Sequence, residues 1–164
     1  MPQPGHESRD TKHESKRNAL PPEPTPKLGP HHKRLEPFVG KWTSDGWAAA
    51  ESPAGRVPMT HLHTYEWLPG GFFLVHRWDG RIGDKDNEGI EILGPDASHF
   101  FDSGGWSRIY QIEGHDRVWI FTGKRERAQV VIGEDGTTMT CTWEQTKDGS
   151  SWQPLCEVKA TKAR

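Results

Sequence analysis

His61, His63 and His76 sit close together in the chain, with Tyr65 and Trp78 among them. Imidazole has an unperturbed pKa of about 6.5, so these side chains can accept and release protons near neutrality. Three histidines can also make a zinc site. Tyr65 and Trp78 add aromatic surface with a polar tip, a combination common in binding pockets. A second group follows downstream: Arg108 and Tyr110 stand two apart, with Trp106 beside them. An inward Arg-x-Tyr can grip a carboxylate through charge-assisted hydrogen bonds. On a surface, Arg108 would instead pair with Asp102.

These residues meet only if strand geometry brings them together. The turn-type run Pro69-Gly70-Gly71 predicts a hairpin. With Pro69-Gly70 as the loop, His63 faces His76; with Gly70-Gly71, partners shift by two but faces are kept. Either way Val57, Met59, His61, His63, Tyr65, Trp67, Phe72, Leu74, His76 and Trp78 share one side. Thr60, Leu62, Thr64, Glu66, Phe73, Val75, Arg77 and Asp79 share the other. The first side has the greater apolar area and fewer charges, so it is expected to face inward. Buried imidazoles and phenols need hydrogen-bond partners, which interior water or a ligand can supply. The expected pocket residues are therefore His61, His63, Tyr65, His76, Trp78, Trp106, Arg108 and Tyr110. The alternative is histidines that point outward or bond to backbone.

The supporting elements are legible along the chain. From Gly40 onward, period-two patterning alternates with turn clusters every 8–12 residues or so, an all-β signature. Ten strands are expected near 41–51, 57–68, 72–81, 87–94, 98–103, 106–112, 117–123, 126–132, 137–146 and 152–162. A short helical turn near His31–Phe38 is cut off by Pro37. Short connections force antiparallel neighbours, and closure into a barrel removes exposed edges. A β-sandwich is the second option. Around Asp148-Gly149, a two-residue type I′ turn would set Cys141 directly opposite Cys156, as adjacent reduced thiols; a longer loop using Gly149, Ser150 and Ser151 would offset the pair by one.

Residues 1–30 differ from the rest. They hold four apolar side chains and the breaker-rich run Leu20-Pro21-Pro22-Glu23-Pro24-Thr25-Pro26, which predicts a disordered tail ahead of one domain over 31–164. Residues 1–34 contain seven Lys/Arg against four Asp/Glu; the remainder contains fourteen against nineteen. An acidic body argues against nucleic-acid binding by phosphate neutralisation. No stretch reaches the roughly 20 apolar residues of a membrane helix, and the N-terminal residues lack a secretory apolar core. With two cysteines, the expected compartment is the cytoplasm.

Several segments carry a family resemblance. Leu35-Glu36-Pro37-Phe38-Val39-Gly40-Lys41-Trp42 resembles the start of lipocalin-like and fatty-acid-binding barrels, where the Trp closes one end. Tyr65-Glu66-Trp67-Leu68-Pro69-Gly70-Gly71-Phe72-Phe73-Leu74-Val75, Phe101 to Tyr110 and Trp143 to Trp152 resemble an uncharacterised bacterial lipocalin-like family, domain of unknown function 1579. The resemblance spans about Leu35 to Arg164 and implies a single antiparallel up-and-down calycin-type barrel. It brings no function with it. Haem barrels of the nitrobindin type also begin with Gly-x-Trp, but they use a His near the C-terminus, and here no His follows His115. Gly55, His61, His63 and Glu66 resemble the metal-binding run of cupins, yet Glu66 has the wrong strand parity to join the histidines.

No cofactor or resident metal is expected. The run Gly123-Lys124-Arg125-Glu126-Arg127 lacks phosphate-loop spacing and reads as a solvated strand edge. There is no Gly-x-Ser-x-Gly elbow and no dinucleotide fingerprint. The function expected is binding of a small, mostly apolar molecule, with an anionic head as an option. The alternatives are an enzyme using an interior His as acid/base, and a sealed structural barrel.

Overall fold

The computed structural model describes residues 20–50 and 55–164. Ten strands form one closed, antiparallel, up-and-down barrel in chain order. They are β1 (Gly40–Ala49), β2 (Arg56–Trp67), β3 (Leu74–Ile82), β4 (Lys85–Leu93), β5 (Ala97–Asp102), β6 (Ser107–His115), β7 (Val118–Thr122), β8 (Glu126–Ile132), β9 (Thr138–Thr146) and β10 (Trp152–Lys162). Closure comes from pairing β1 with β10, for example Trp42 with Lys162 and Ser44 with Ala160. All ten expected strands are present, and the sandwich option is excluded by that pairing.

The lead-in is a single α-turn, α1 (Pro30–Lys33), then a 3-10 turn at Glu36–Phe38 that accommodates Pro37. This segment plugs the barrel end where β1 begins. Leu35, Phe38 and Trp42 are almost fully buried there. Trp42 Nε1 donates to the Phe38 carbonyl at 2.8 Å, and Trp67 Nε1 donates to Glu36 at 2.8 Å. Phe38 packs against Trp119 and Tyr65, with ring centroids 5.2 and 5.6 Å away. The expected tail falls largely on residues 1–19, outside the described residues. Residues 20–29 have no helix or strand and, apart from Gly29, are exposed.

One turn decides between the two registers expected, and another departs from the expectation. The β2–β3 hairpin uses the register of the Gly70-Gly71 option: Tyr65 pairs with His76, and His63 with Trp78. The β9–β10 turn is longer than two residues. The Asp148 carboxylate accepts hydrogen bonds from the backbone of Ser150 and Ser151, which stabilises a five-residue connection, and a bulge follows near Pro154. Cys141 therefore pairs with Val158, and Cys156 with Trp143, so the two thiols are diagonal rather than opposed. Diagonal Cα atoms stand roughly 7–8 Å apart, beyond disulfide range. Both cysteines are free.

Candidate functional site

A cavity of about 530 Å³ occupies the barrel interior. It runs from the plug at Phe38 to the opposite end, where Asp102, Trp106 and Glu126 help form its rim. All eight residues expected in the pocket line it: His61, His63, Tyr65, His76, Trp78, Trp106, Arg108 and Tyr110. Strand parity accounts for this. Leu62 and Glu66, of opposite parity to the histidines, are exposed. Trp106 is the outlier, 60% exposed at the rim rather than inside.

The histidines do not point at an empty centre. One wall carries a continuous hydrogen-bonded chain. Ser44 Oγ lies 2.8 Å from His63 Nε2. His63 Nδ1 lies 3.0 Å from His76 Nε2. His76 Nδ1 lies 3.1 Å from Glu91 Oε2, and Ser98 Oγ donates to Glu91 Oε1 at 2.6 Å. His76, Glu91 and Ser98 are all buried. Tyr65 stacks on His76, with ring centroids 4.0 Å apart and nearly parallel planes. Burial pushes the Tyr65 hydroxyl well above the usual phenol range, with Cys141 and Glu91 adding to it, so the phenol stays protonated.

His61 stands slightly apart. Asn87 Oδ1 accepts from Trp78 Nε1 at 3.0 Å and lies 3.0 Å from His61 Nε2. An amide oxygen cannot donate, so His61 carries its proton on Nε2. Its Nδ1 is then a bare lone pair, buried without a partner among the described residues. Desolvation lowers the His61 pKa, and it lowers that of His63 to about 3. The nearby His76 works in the same direction for both, because two imidazolium charges would repel. Among the described residues no three His, Cys, Asp or Glu side chains converge to hold a metal ion. The ring nitrogens of His63 and His76 are turned toward each other rather than toward a common centre.

The opposite wall holds the second group. Arg108 Nε contacts Glu126 Oε1 at 3.3 Å, and the Tyr110 hydroxyl donates to Glu126 Oε2 at 2.5 Å. The Arg-x-Tyr pair thus grips a carboxylate, but one from the same chain. Asp102 is not its partner. Burial and the Glu126 hydrogen bond push the Tyr110 hydroxyl far above its ordinary value. Trp106 covers Arg108, with 4.7 Å from the guanidinium carbon to the ring centroid. The free thiols of Cys141 and Cys156 also line the cavity, and burial pushes each up to about 12.

Sequence reasoning missed Ser44, Asn87, Glu91, Ser98 and Glu126. In β4 the usual pattern is inverted: Asn87 and Glu91 point inward, while Ile90 and Ile92 face outward. Gly89 lies between them, opposite Trp78; a Cβ there would come within 2.1 Å of the Trp78 ring. An inward Gly facing an inward Trp was the readable signal, since the small residue makes room for the large one. Glu126 was hidden in the charged run at the start of β8, read as a solvated edge.

No curated protein sequence matches the chain. Among solved structures, Rv2717c from M. tuberculosis is similar in fold, with a TM-score of 0.57 at 14% identity, covering 84% of this chain and 100% of that one. The S-type phycobiliprotein lyase CPES from Guillardia theta gives a TM-score of 0.46 at 7% identity, covering 79% and 90%. At 14% identity the first likeness speaks for the barrel alone. The family described as protein of unknown function, DUF1579, matches residues 27–162. The ten-strand barrel and that match agree over the same stretch, and the chain belongs to the DUF1579 family.

Proposed function

We propose that the barrel binds one small, mostly apolar molecule in its interior. The observation that carries this reading is the cavity of about 530 Å³, lined by aromatic rings with polar groups set among them. Its volume falls in the range of roughly 300–1,000 Å³ usual for ligand sites, whereas a sealed structural barrel would fill that space with side chains. The polar groups favour a neutral head over an anionic one. Arg108 and Tyr110 are already engaged by Glu126, so a ligand carboxylate would have to displace it. The unbonded thiols suit a cytoplasmic setting.

The test is titration of purified protein with the neutral apolar dye N-phenyl-1-naphthylamine, alongside native mass spectrometry of freshly isolated protein. Saturable 1:1 binding supports the reading. Absence of saturable dye binding, together with the bare chain mass, refutes it. A second reading, acid/base catalysis in the same cavity, draws on one observation: the buried His76 lies 3.1 Å from Glu91.

A further inference from the structure

Ser44 stands at the cavity end of a directional hydrogen-bond chain. The direction follows from the groups themselves. The Glu91 carboxylate only accepts, and Ser98 and His76 both approach it. His76 therefore carries its proton on Nδ1, which leaves Nε2 as an acceptor for His63 Nδ1–H. His63 Nε2 is then bare and accepts the Ser44 hydroxyl proton at 2.8 Å. A nucleophile within hydrogen-bond reach of a base, itself oriented by further groups, is the signature of covalent catalysis. Ser44 also lines the cavity, which sets this hydrogen-bonded pair on the wall of the space a ligand would fill.

We propose that Ser44 is a nucleophile for acyl transfer from neutral carboxylic esters of apolar acids, with His63 as its base and His76 and Glu91 as positioning residues. The inference rests on the cavity reading above and names the substrate class for the same space. In the first step Ser44 Oγ bonds to the ester carbonyl carbon. Its proton passes to His63 Nε2, and the His63 Nδ1 proton moves to His76 Nε2. The positive charge thus comes to rest on His76 beside the Glu91 carboxylate. This ordering answers the low basicity of His63, which burial makes a poor resting place for charge. The ester C–O bond breaks, the proton returns along the chain to the leaving alkoxide, and an alcohol departs. Water then attacks the acyl-Ser44 by the same proton path and releases the acid.

The experiment treats the full chain with a dodecyl fluorophosphonate and follows intact mass and peptide mapping. A Ser44 Oγ–P bond forms as fluoride leaves. One adduct on Ser44 is expected, absent in Ser44→Ala, whose far-ultraviolet circular dichroism and urea midpoint report that the barrel is still folded. Glu91→Gln should lower the rate constant of labelling by roughly 100-fold while leaving the probe's half-saturating concentration unchanged, a split that a merely structural role would not give. No adduct on the wild type, or labelling that persists in Ser44→Ala, overturns the proposal. An unchanged labelling rate in Glu91→Gln overturns the relay. Dye binding without an adduct removes this inference alone; loss of both removes the cavity reading as well.

Discussion

Replacing Glu126 by alanine should convert the cavity into a carboxylate site. Glu126 satisfies Arg108 Nε at 3.3 Å and the Tyr110 hydroxyl at 2.5 Å. Without it, a cation and a phenol face the cavity without their acceptor. A ligand carboxylate can restore both hydrogen bonds. Hydrogen bonds to charged groups contribute about 1.5–3 kcal/mol when shielded. The Arg108 side chain is 30% exposed, so water screens part of that gain, while Tyr110 is only 2% exposed. A net gain of about 1–2 kcal/mol is the reasonable figure, or roughly 5- to 30-fold in Kd. The assay is displacement of N-phenyl-1-naphthylamine by dodecanoic acid and by dodecanol, on wild type and on Glu126→Ala. The acid should gain affinity in the variant and the alcohol should not. Equal change for both ligands, or none for the acid, would show that Arg108 and Tyr110 do not form an anion slot.

Gly89→Ala should destabilise the barrel by about 1–3 kcal/mol in urea unfolding, because its Cβ would strike the Trp78 ring and the Phe101 carbonyl. Stability should fall as pH drops below 6.5 toward 3: the folded state depresses the His63 pKa to about 3, so the unfolded chain binds that proton first. His63→Gln should flatten that slope in urea midpoints measured across the range. Both cysteines should react slowly with iodoacetamide at pH 8 in the native protein, since burial pushes each thiol up to about 12, and both should label at once in denaturant. Deleting residues 1–26, which precede the family match, should move the melting temperature by less than about 2 °C, the equivalent of under ~1 kcal/mol.

The strand count, the barrel and the inward face of the β2–β3 hairpin were readable because side-chain direction alternates strictly, so turn clusters and parity settle them together. His61, His63 and His76 were placed by that rule alone. Their partners were not. Glu91 and Asn87 lie in a strand that turns Ile90 and Ile92 outward, and a binary pattern assigns polar side chains of the other parity to solvent. Ser44 sits in an unremarkable Thr43-Ser44-Asp45 run; only the register of β1 against β2 brings it to His63. Register between strands also decided the cysteines. The hydrogen bonds of Asp148 lengthened the turn and moved Cys141 off Cys156. Hydrogen-bond partners across a barrel depend on several registers at once, and each turn length adds its own shift.

The β1–β10 seam has a consequence for the order of folding. Nine of the strand pairs join neighbours in sequence, whereas the seam joins residues such as Trp42 and Lys162 from opposite ends of the barrel chain. Local hairpins close quickly, and the long loop must be closed at an entropic cost before the seam contacts repay it. Until then the sheet is an open ribbon with two bare edges, and the interior is a face rather than a chamber. A molecule held inside can therefore bind only after the last pairing, so it should act as a lock on the seam: bound ligand slows unfolding by holding the first and last strands together.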